Sequence, residues 1–251
     1  MKPEVITATI AAIIAIISAV ISIYGQTRIA RLTDRLTKQR EAESREAQTA
    51  ALMSKYRNPL LRSAIDLQSR LYNIHQQNFL EYLYERSPDA QNYRIYNTLY
   101  VVAEYLSWVE ILRREIQFLD LGDLELNRCL SELLVNINKA FGARSKLGGT
   151  FQLFNGEQRA IGEIMTVPRS SSEMIGYDCI GYATFVKKMS DPEFAGWFTK
   201  LREDIDVMAT VQEVKANRLV LIHSRLIDLI DFLDPHCVRV APLYRTRIEQ
   251  Q

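Results

Sequence analysis

The pattern of apolar and polar positions begins with a long apolar run at the amino terminus. Residues 5–24 contain no charged side chain. At a rise of about 1.5 Å per residue, a helix of this length spans a hydrocarbon core of roughly 30 Å. The run is longer than the apolar part of a cleaved signal peptide. We therefore predict a retained transmembrane helix over residues 1–26, with a short outer amino terminus, in contact with membrane lipid.

One face of this predicted helix carries only small or polar residues, whereas large apolar residues fill most of the remaining surface. Small side chains let membrane helices pack closely, so the face predicts a homo-oligomer, although single-pass anchors also contain Ala and Ser by chance. Polar atoms at several depths are typical of a pore lining. The predicted pore-lining residues are Glu4, Thr7, Ala11, Ala15, Ser18 and Ser22.

Apolar residues continue on nearly the same face after the uncharged run, which predicts a helical stalk over residues 27–56. Ile29, Leu32 and Leu36 lie on this face, and no proline interrupts the chain before Pro59. Charged residues interrupt the stripe after Leu36. The alanines that follow fit helix bundling and packing on the chain's own globular domain equally well.

The rest of the chain shows the apolar spacing of helices and little strand alternation. We predict an all-α fold, with one helical bundle domain over 57–235 and a tail over 236–251. The only strand candidate is 150–154. Predicted helices run from Pro59 to about 84, over 90–119, from a turn at 119–123 to about 141, and over 157–165, 180–189, 192–209 and 211–233.

Composition and charge indicate the class of protein and its orientation in the membrane, but they do not indicate a binding partner. Hydrophobic residues make up 47% of the 251 residues, and 31 Lys and Arg face 30 Asp and Glu, which excludes an acidic disordered chain and a strongly basic coat protein. Basic residues cluster after the apolar run, at Arg28, Arg31, Arg35, Lys38 and Arg40. By the positive-inside rule, the amino terminus lies outside and the domain is cytoplasmic.

Catalytic and metal-binding patterns are weak in this sequence. The three cysteines form no CxxC pair, the three histidines lack metal-ligand spacing, and no nucleotide-binding or hydrolase motif occurs. We predict no enzyme, cofactor or metal. His223 is expected to be a core or interface histidine, and a hydrolase would require His223 or Cys237 in a pocket. Asp228, Asp231 and Asp234 fit arginine pairing better than cation binding.

Two basic loops and a helix start predict an anion site. Segments 142–149 and 168–172 combine glycines or hydroxyls with basic side chains, and 155–159 offers backbone N–H groups. Nearby aromatic rings could stack on bases, so a nucleotide or short single strand would suit this region. Basic glycine loops are also common on protein surfaces. The predicted ligand-binding residues are Arg144, Lys146, Phe151, Arg159 and Arg169.

The segments RNPLLRSAIDLQSRLYNI (57–74), WVEILRREIQFLDLGD (108–123) and GEQRAIGEIM (156–165) look like those of a broad group of bacterial proteins. The layout of one membrane helix and a helical cytoplasmic domain resembles the channel subunits of Hailong anti-phage defence systems. That resemblance implies a homo-oligomeric ion channel, a tetramer, in the bacterial inner membrane. It also implies closure by short single-stranded DNA from a partner nucleotidyltransferase, and opening during infection to depolarise the membrane. It assigns no site residue here.

Two functions from different classes follow from these patterns. In the first, several amino-terminal helices surround a pore, Glu4 forms an electronegative outer mouth that favours cations, and the cytoplasmic domain gates the pore. In the second, a membrane-tethered interaction or signalling protein oligomerises without conducting ions. The two differ in whether the small face lines water or only packs against another helix.

Overall fold

The computed structural model describes residues 3–116, 124–143, 150–169, 176–210 and 217–248, without the side chains at 3–15, 20, 45–46, 48–54, 116 and 124. The chain forms two compact units, Met1–Ala51 and Leu52–Gln251. The described elements are mostly helical, which agrees with the predicted all-α class. The turn predicted at 119–123 lies outside the described residues.

The helices are α1 Pro3–Gln76, α2 Phe79–Tyr84, α3 Pro88–Ile116, α4 Leu124–Gly142, α5 Asn155–Ile164, α6 Tyr182–Lys188, α7 Pro192–Gly196, α8 Thr199–Thr210 and α9 Asn217–Leu233, followed by a 3-10 helix at Pro242–Arg245. The strands are β1 Thr166–Pro168 and β2 Tyr177–Cys179.

The first unit contains the amino-terminal part of α1, which is helical through Gln26 as predicted. Several of its large apolar side chains are exposed, including Ile21, Ile29 and Leu32. Within the part of the chain that the structure describes, no helix is both long and apolar enough to cross a membrane. Most side chains of the predicted uncharged run lie outside that part.

A predicted helix start at Pro59 is wrong, because α1 passes through this proline and ends at Gln76. A proline inside a helix costs about 3 kcal/mol. Tyr56, Leu60 and Leu61 flank it and are buried in the core of the second unit, so their burial offsets that cost.

The same predicted helix also ends earlier than expected. Asn78 adopts a left-handed backbone with φ of 49°, and α2 begins after it. Asparagine tolerates this conformation better than most residues do. A second predicted helix, over 192–209, is divided at Trp197 and Phe198 into α7 and α8.

The one strand candidate in the sequence, residues 150–154, does not form a strand. Phe151 has φ of 57°, which an extended strand excludes. The strands form instead between residues 166 and 179, where β1 pairs antiparallel with β2 and Thr166 lies opposite Cys179. This two-stranded ribbon follows α5 directly and packs against α3.

Helix α3 runs through the core of the second unit and packs closely against α5. Leu99, Val102 and Ala103 on α3 are fully buried. Gly162 on α5 permits the close approach, because a Cβ there would lie 2.6 Å from the Leu106 carbonyl oxygen. Since α4 packs against both α5 and α9, these contacts position α3, α4 and α5 around one surface pocket.

The carboxyl-terminal segment, predicted as a tail, packs on the second unit. The buried Asp234 carboxylate accepts hydrogen bonds from the backbone N–H groups of Val238, Arg239 and Val240, each at 3.0 Å. Arg245 pairs with the same carboxylate at 2.7 Å. Val240 and Ile248 are buried. The segment is thus fixed by both hydrogen bonds and apolar contacts.

Candidate ligand-binding site

The predicted ligand-binding residues do not form one continuous group. Arg144 and Lys146 lie outside the described residues. Arg159 is exposed on α5 and lines the pocket between α3, α4 and α5. Arg169 follows β1 and pairs across the ribbon with Asp178, with 3.7 Å between Nε and Oδ2. The structure therefore places Arg159 alone, of the described residues predicted here, at a pocket.

Phe151 does not fit the predicted role in ligand binding, because its ring is fully buried in the core. Its backbone N–H donates to the Asp204 carboxylate on α8 at 2.8 Å, which holds the left-handed turn before α5. A ring without exposed surface offers no face on which a base could stack. Phe151 is therefore a core residue and does not contact a surface ligand.

The pocket has a volume of about 220 Å³. It lies where the carboxyl-terminal part of α4 and the first turns of α5 meet the carboxyl-terminal part of α3. Its lining combines an apolar wall with amide and guanidinium groups. The lining residues are Leu106, Val109, Glu110, Arg113, Asn138, Asn155, Gln158 and Arg159.

Gln158 joins α5 to the end of α4. Its Nε2 donates to the backbone carbonyls of Asn138 at 3.1 Å and Leu153 at 2.8 Å. These two bonds fix the amide plane, so the position of Oε1 is fixed as well. The start of α5 is further held by Glu157, whose carboxylate accepts from the Phe154 N–H at 2.6 Å.

Glu110 neutralises part of the positive charge at the pocket. Burial raises the pKa of this carboxyl, but hydrogen bonds from Arg113 and Arg114 outweigh burial and leave the pKa below its ordinary value. Arg114 also approaches Glu163 on α5 at 3.3 Å. Glu110 is thus ionised and paired with both Arg113 and Arg114. Arg159 is not part of this group and adds a further positive charge at the pocket.

A second pocket, of about 540 Å³, was not predicted from the sequence. Arg62 and Glu104 line it beside the Trp108 ring. Burial raises the pKa of Glu104, the neighbouring Asp66 raises it further, and Arg62 opposes both effects. Burial also raises the pKa of Cys179 to about 12, which favours the neutral thiol at neutral pH.

His223, one of the two residues on which a hydrolase would depend, lies in the core of the second unit. His223 is fully buried and hydrogen-bonded to Gln68 Nε2 at 2.9 Å, as expected of a core histidine. Burial lowers its pKa to about 4, with His75 and Arg247 contributing. Among the described residues, no group of three or more His, Cys, Asp or Glu could hold a metal ion.

The aspartate row near the end of α9 pairs with arginines, as predicted. Asp228 contacts Arg225 at 3.3 Å and Arg247 at 2.7 Å. Asp231 contacts Arg245 at 2.9 Å, beside the buried Asp234 pair. These carboxylates stabilise the carboxyl-terminal segment.

The predicted pore-lining face lies on α1 in the first unit. The side chains of Glu4, Thr7, Ala11 and Ala15 lie outside the description. Ser18 and Ser22 are exposed, and Ser22 Oγ accepts from Gln26 Nε2 at 3.3 Å.

No family model matches this chain, and no curated protein or solved structure matches it either.

Proposed function

We propose that this protein is the subunit of a homo-oligomeric ion channel that acts as an anti-phage defence effector. Residues 1–26 anchor it in the bacterial inner membrane as a single span. The second unit lies in the cytoplasm and binds a short nucleic-acid ligand that holds the channel closed. The resemblance to Hailong channel subunits supports a tetramer and a nucleotidyltransferase as the source of the ligand.

The observation that carries this proposal is the apolar surface of α1 in the first unit. Ile16, Ile21, Ile23 and Ile29 each expose more than 60% of their surface. Burying an isoleucine side chain gains roughly 1.5–3 kcal/mol relative to leaving it in water. A helix with this composition therefore favours lipid or a second copy of itself as its surroundings.

The small and polar face of the same helix favours a pore over a plain anchor. Ser18 and Ser22 place hydroxyl groups among alanines, and both side chains are exposed. Hydroxyl groups at several depths can hydrate a narrow pore, whereas lipid tails offer them no hydrogen-bond partner. Ligand binding then shifts the balance of closed and open states by its difference in affinity for them.

The test is the conductance of the purified full-length protein in a planar bilayer, before and after addition of short single-stranded DNA. We expect discrete currents that the oligonucleotide suppresses. A silent bilayer that demonstrably contains inserted oligomer, with and without DNA, would assign the protein to the alternative class of membrane-tethered interaction proteins.

A pair of variants locates the pore. Ser22→Leu places a large apolar side chain on the small face and should abolish the current by narrowing or dewetting the pore. Thr9→Leu makes a similar change on the opposite, isoleucine-rich face and should conduct as the wild type does. Crosslinking checks that both variants assemble. If both assemble and conduct equal currents, the small face does not line the pore.

A further inference from the structure

The larger pocket, of about 540 Å³, carries both cationic and acidic side chains without pairing them. Arg62 of α1 and Glu104 of α3 both line it. Arg239 lines it from the carboxyl-terminal segment, where its backbone N–H donates to Asp234 at 3.0 Å. Among the residues that the structure describes, neither guanidinium group makes a hydrogen bond or an ion pair, and Glu104 forms no ion pair with either. Both signs of charge are therefore available to a ligand.

The pocket can be reached from solvent and is large enough for a small molecule. Arg62 and Arg239 are exposed, and Glu104 is half-buried. The volume falls within the roughly 300–1,000 Å³ of small-molecule sites. An apolar wall completes the lining and consists of Leu61, Ile65 and Trp108.

The charge pattern of this pocket selects the class of ligand. A ligand with one negative charge would be attracted by the two arginines and repelled by Glu104, and a ligand with one positive charge would meet the reverse. A zwitterion gains from both groups. A guanidinium group binds a carboxylate through two parallel hydrogen bonds, and an ammonium group offers three donors to a carboxylate.

We propose that this pocket binds an α-amino acid with an apolar side chain. The amino acid's carboxylate contacts Arg62 and Arg239, and its ammonium group contacts Glu104. Its side chain lies against the wall of Leu61, Ile65 and Trp108. This binding site does not depend on the proposed channel function, and its tests measure binding alone.

The surroundings of Glu104 favour the arrival of a positive charge. Burial and the neighbouring Asp66 raise the pKa of Glu104, and Arg62 only opposes these effects. The ionised carboxylate is therefore stabilised too little by the protein alone. An ammonium group from a ligand would favour the ionised form, because an opposite charge nearby lowers the pKa of a carboxyl.

The experiment is calorimetric titration of the full-length protein in detergent with L-tryptophan, L-phenylalanine and L-leucine. Each is compared with the amine that lacks its carboxylate and the acid that lacks its ammonium group. We expect at least one amino acid to bind about tenfold more tightly than both of its analogues, because each analogue leaves one charged group of the pocket unpaired.

A leucyl-tryptophan dipeptide separates two sources of the same chemistry, since its ammonium group and carboxylate lie one residue further apart. Weaker binding of the dipeptide than of the preferred amino acid assigns the pocket to free amino acids. Tighter or equal binding contradicts a site for free amino acids and assigns the pocket to short peptides.

Matched variants locate the binding and separate the two charged groups. Arg62→Gln should weaken amino-acid binding about tenfold and reduce the preference over the amine, while the preference over the acid stays. Glu104→Gln should also weaken binding about tenfold but reduce the preference over the acid instead. Arg202→Gln and Glu85→Gln, at exposed positions elsewhere, should change neither. A variant that fails to fold would lose both preferences together.

Three results would overturn the inference. The first is equal affinity for the amino acids and their singly charged analogues, and the second is no binding of any of the three amino acids. The third is binding equal to the wild type in both Arg62→Gln and Glu104→Gln.

Discussion

Glu104 and His223 are ionisable groups whose environments favour their neutral forms. Glu104 is half-buried near Asp66, whereas His223 is fully buried on α9 and contacts Gln68 of α1. Because the charged forms are penalised only in the folded protein, both groups make stability depend on pH. The two dependences have opposite signs.

His223 should make the protein less stable in acid. Its folded pKa is about 4 against an ordinary 6.5, so its contribution is fully present above pH 6.5 and is lost as the pH falls toward 4. Between pH 7 and pH 5 the free energy of unfolding should fall by about 2 kcal/mol from this residue. In urea denaturation, His223→Gln should remove that part of the decrease. An identical decrease in variant and wild type would contradict the assignment.

Glu104 should act in the other direction. Because the pKa of Glu104 is raised in the folded protein, the ionised carboxyl lowers the free energy of unfolding at pH values above the ordinary carboxyl pKa. Protonation removes this destabilisation as the pH falls. Glu104→Gln should therefore raise the free energy of unfolding at pH 7, and raise it by less at pH 5. The exposed Glu85→Gln is the control and should change neither value.

At the level of residues, the sequence predicted the charges of the candidate site better than its amides. Arg159 follows a capped helix start and was predicted as a ligand residue. Gln158 and Asn138 carry no motif, and they lie 20 positions apart on different helices. Only the packing of α5 against α3 and α4 brings the two residues to one pocket, and local sequence does not encode that packing.

At the level of elements, periodicity predicted most helices but not their interruptions. Buried flanking residues let α1 continue through Pro59, so tertiary packing overrode a strong local signal. Asn78 and the 197–198 break are single backbone changes inside continuous apolar spacing. Such changes leave the hydrophobic period intact, which is why the sequence does not predict them.

The carboxyl-terminal segment depends on one side chain. Asp234→Ala would leave Arg245 and three backbone N–H groups without their acceptor in a buried position, which should cost about 3–5 kcal/mol. Asp231→Ala also removes a partner of Arg245 but at an exposed position, so it should cost less than about 1 kcal/mol. Thermal unfolding of both variants measures the difference. Similar losses would mean that Asp234 does not fix the segment.

At the level of the whole molecule, the chain separates into units at Ala51 and Leu52. The sequence predicted a change near residue 57 from the spacing of apolar residues after Pro59. The boundary between the two compact units lies five residues earlier in the chain. The remaining five residues join the second unit because Tyr56 is already buried in its core.

Assembly of the first unit should depend on its apolar stripe. Leu32 and Leu36 expose 51% and 55% of their surface, so they are available to pack against copies of α1. Replacing both by Gln should lower the oligomer mass, measured by light scattering in detergent. Lys38→Gln changes the opposite face of the helix and should preserve the mass. An unchanged mass in the double variant would exclude the stripe as an assembly surface.

The close contact at Gly162 also has a consequence for sequence divergence. Any larger residue would force α5 away from α3, because the nearest obstacles are the Leu106 backbone oxygen at 2.6 Å and the Glu110 Cβ at 2.9 Å. Descendants that keep this packing should therefore keep glycine at this position, even where exposed neighbours such as Arg159 have changed. Glycine at position 162 would then mark preservation of the fold, and arginine at 159 would mark preservation of the site.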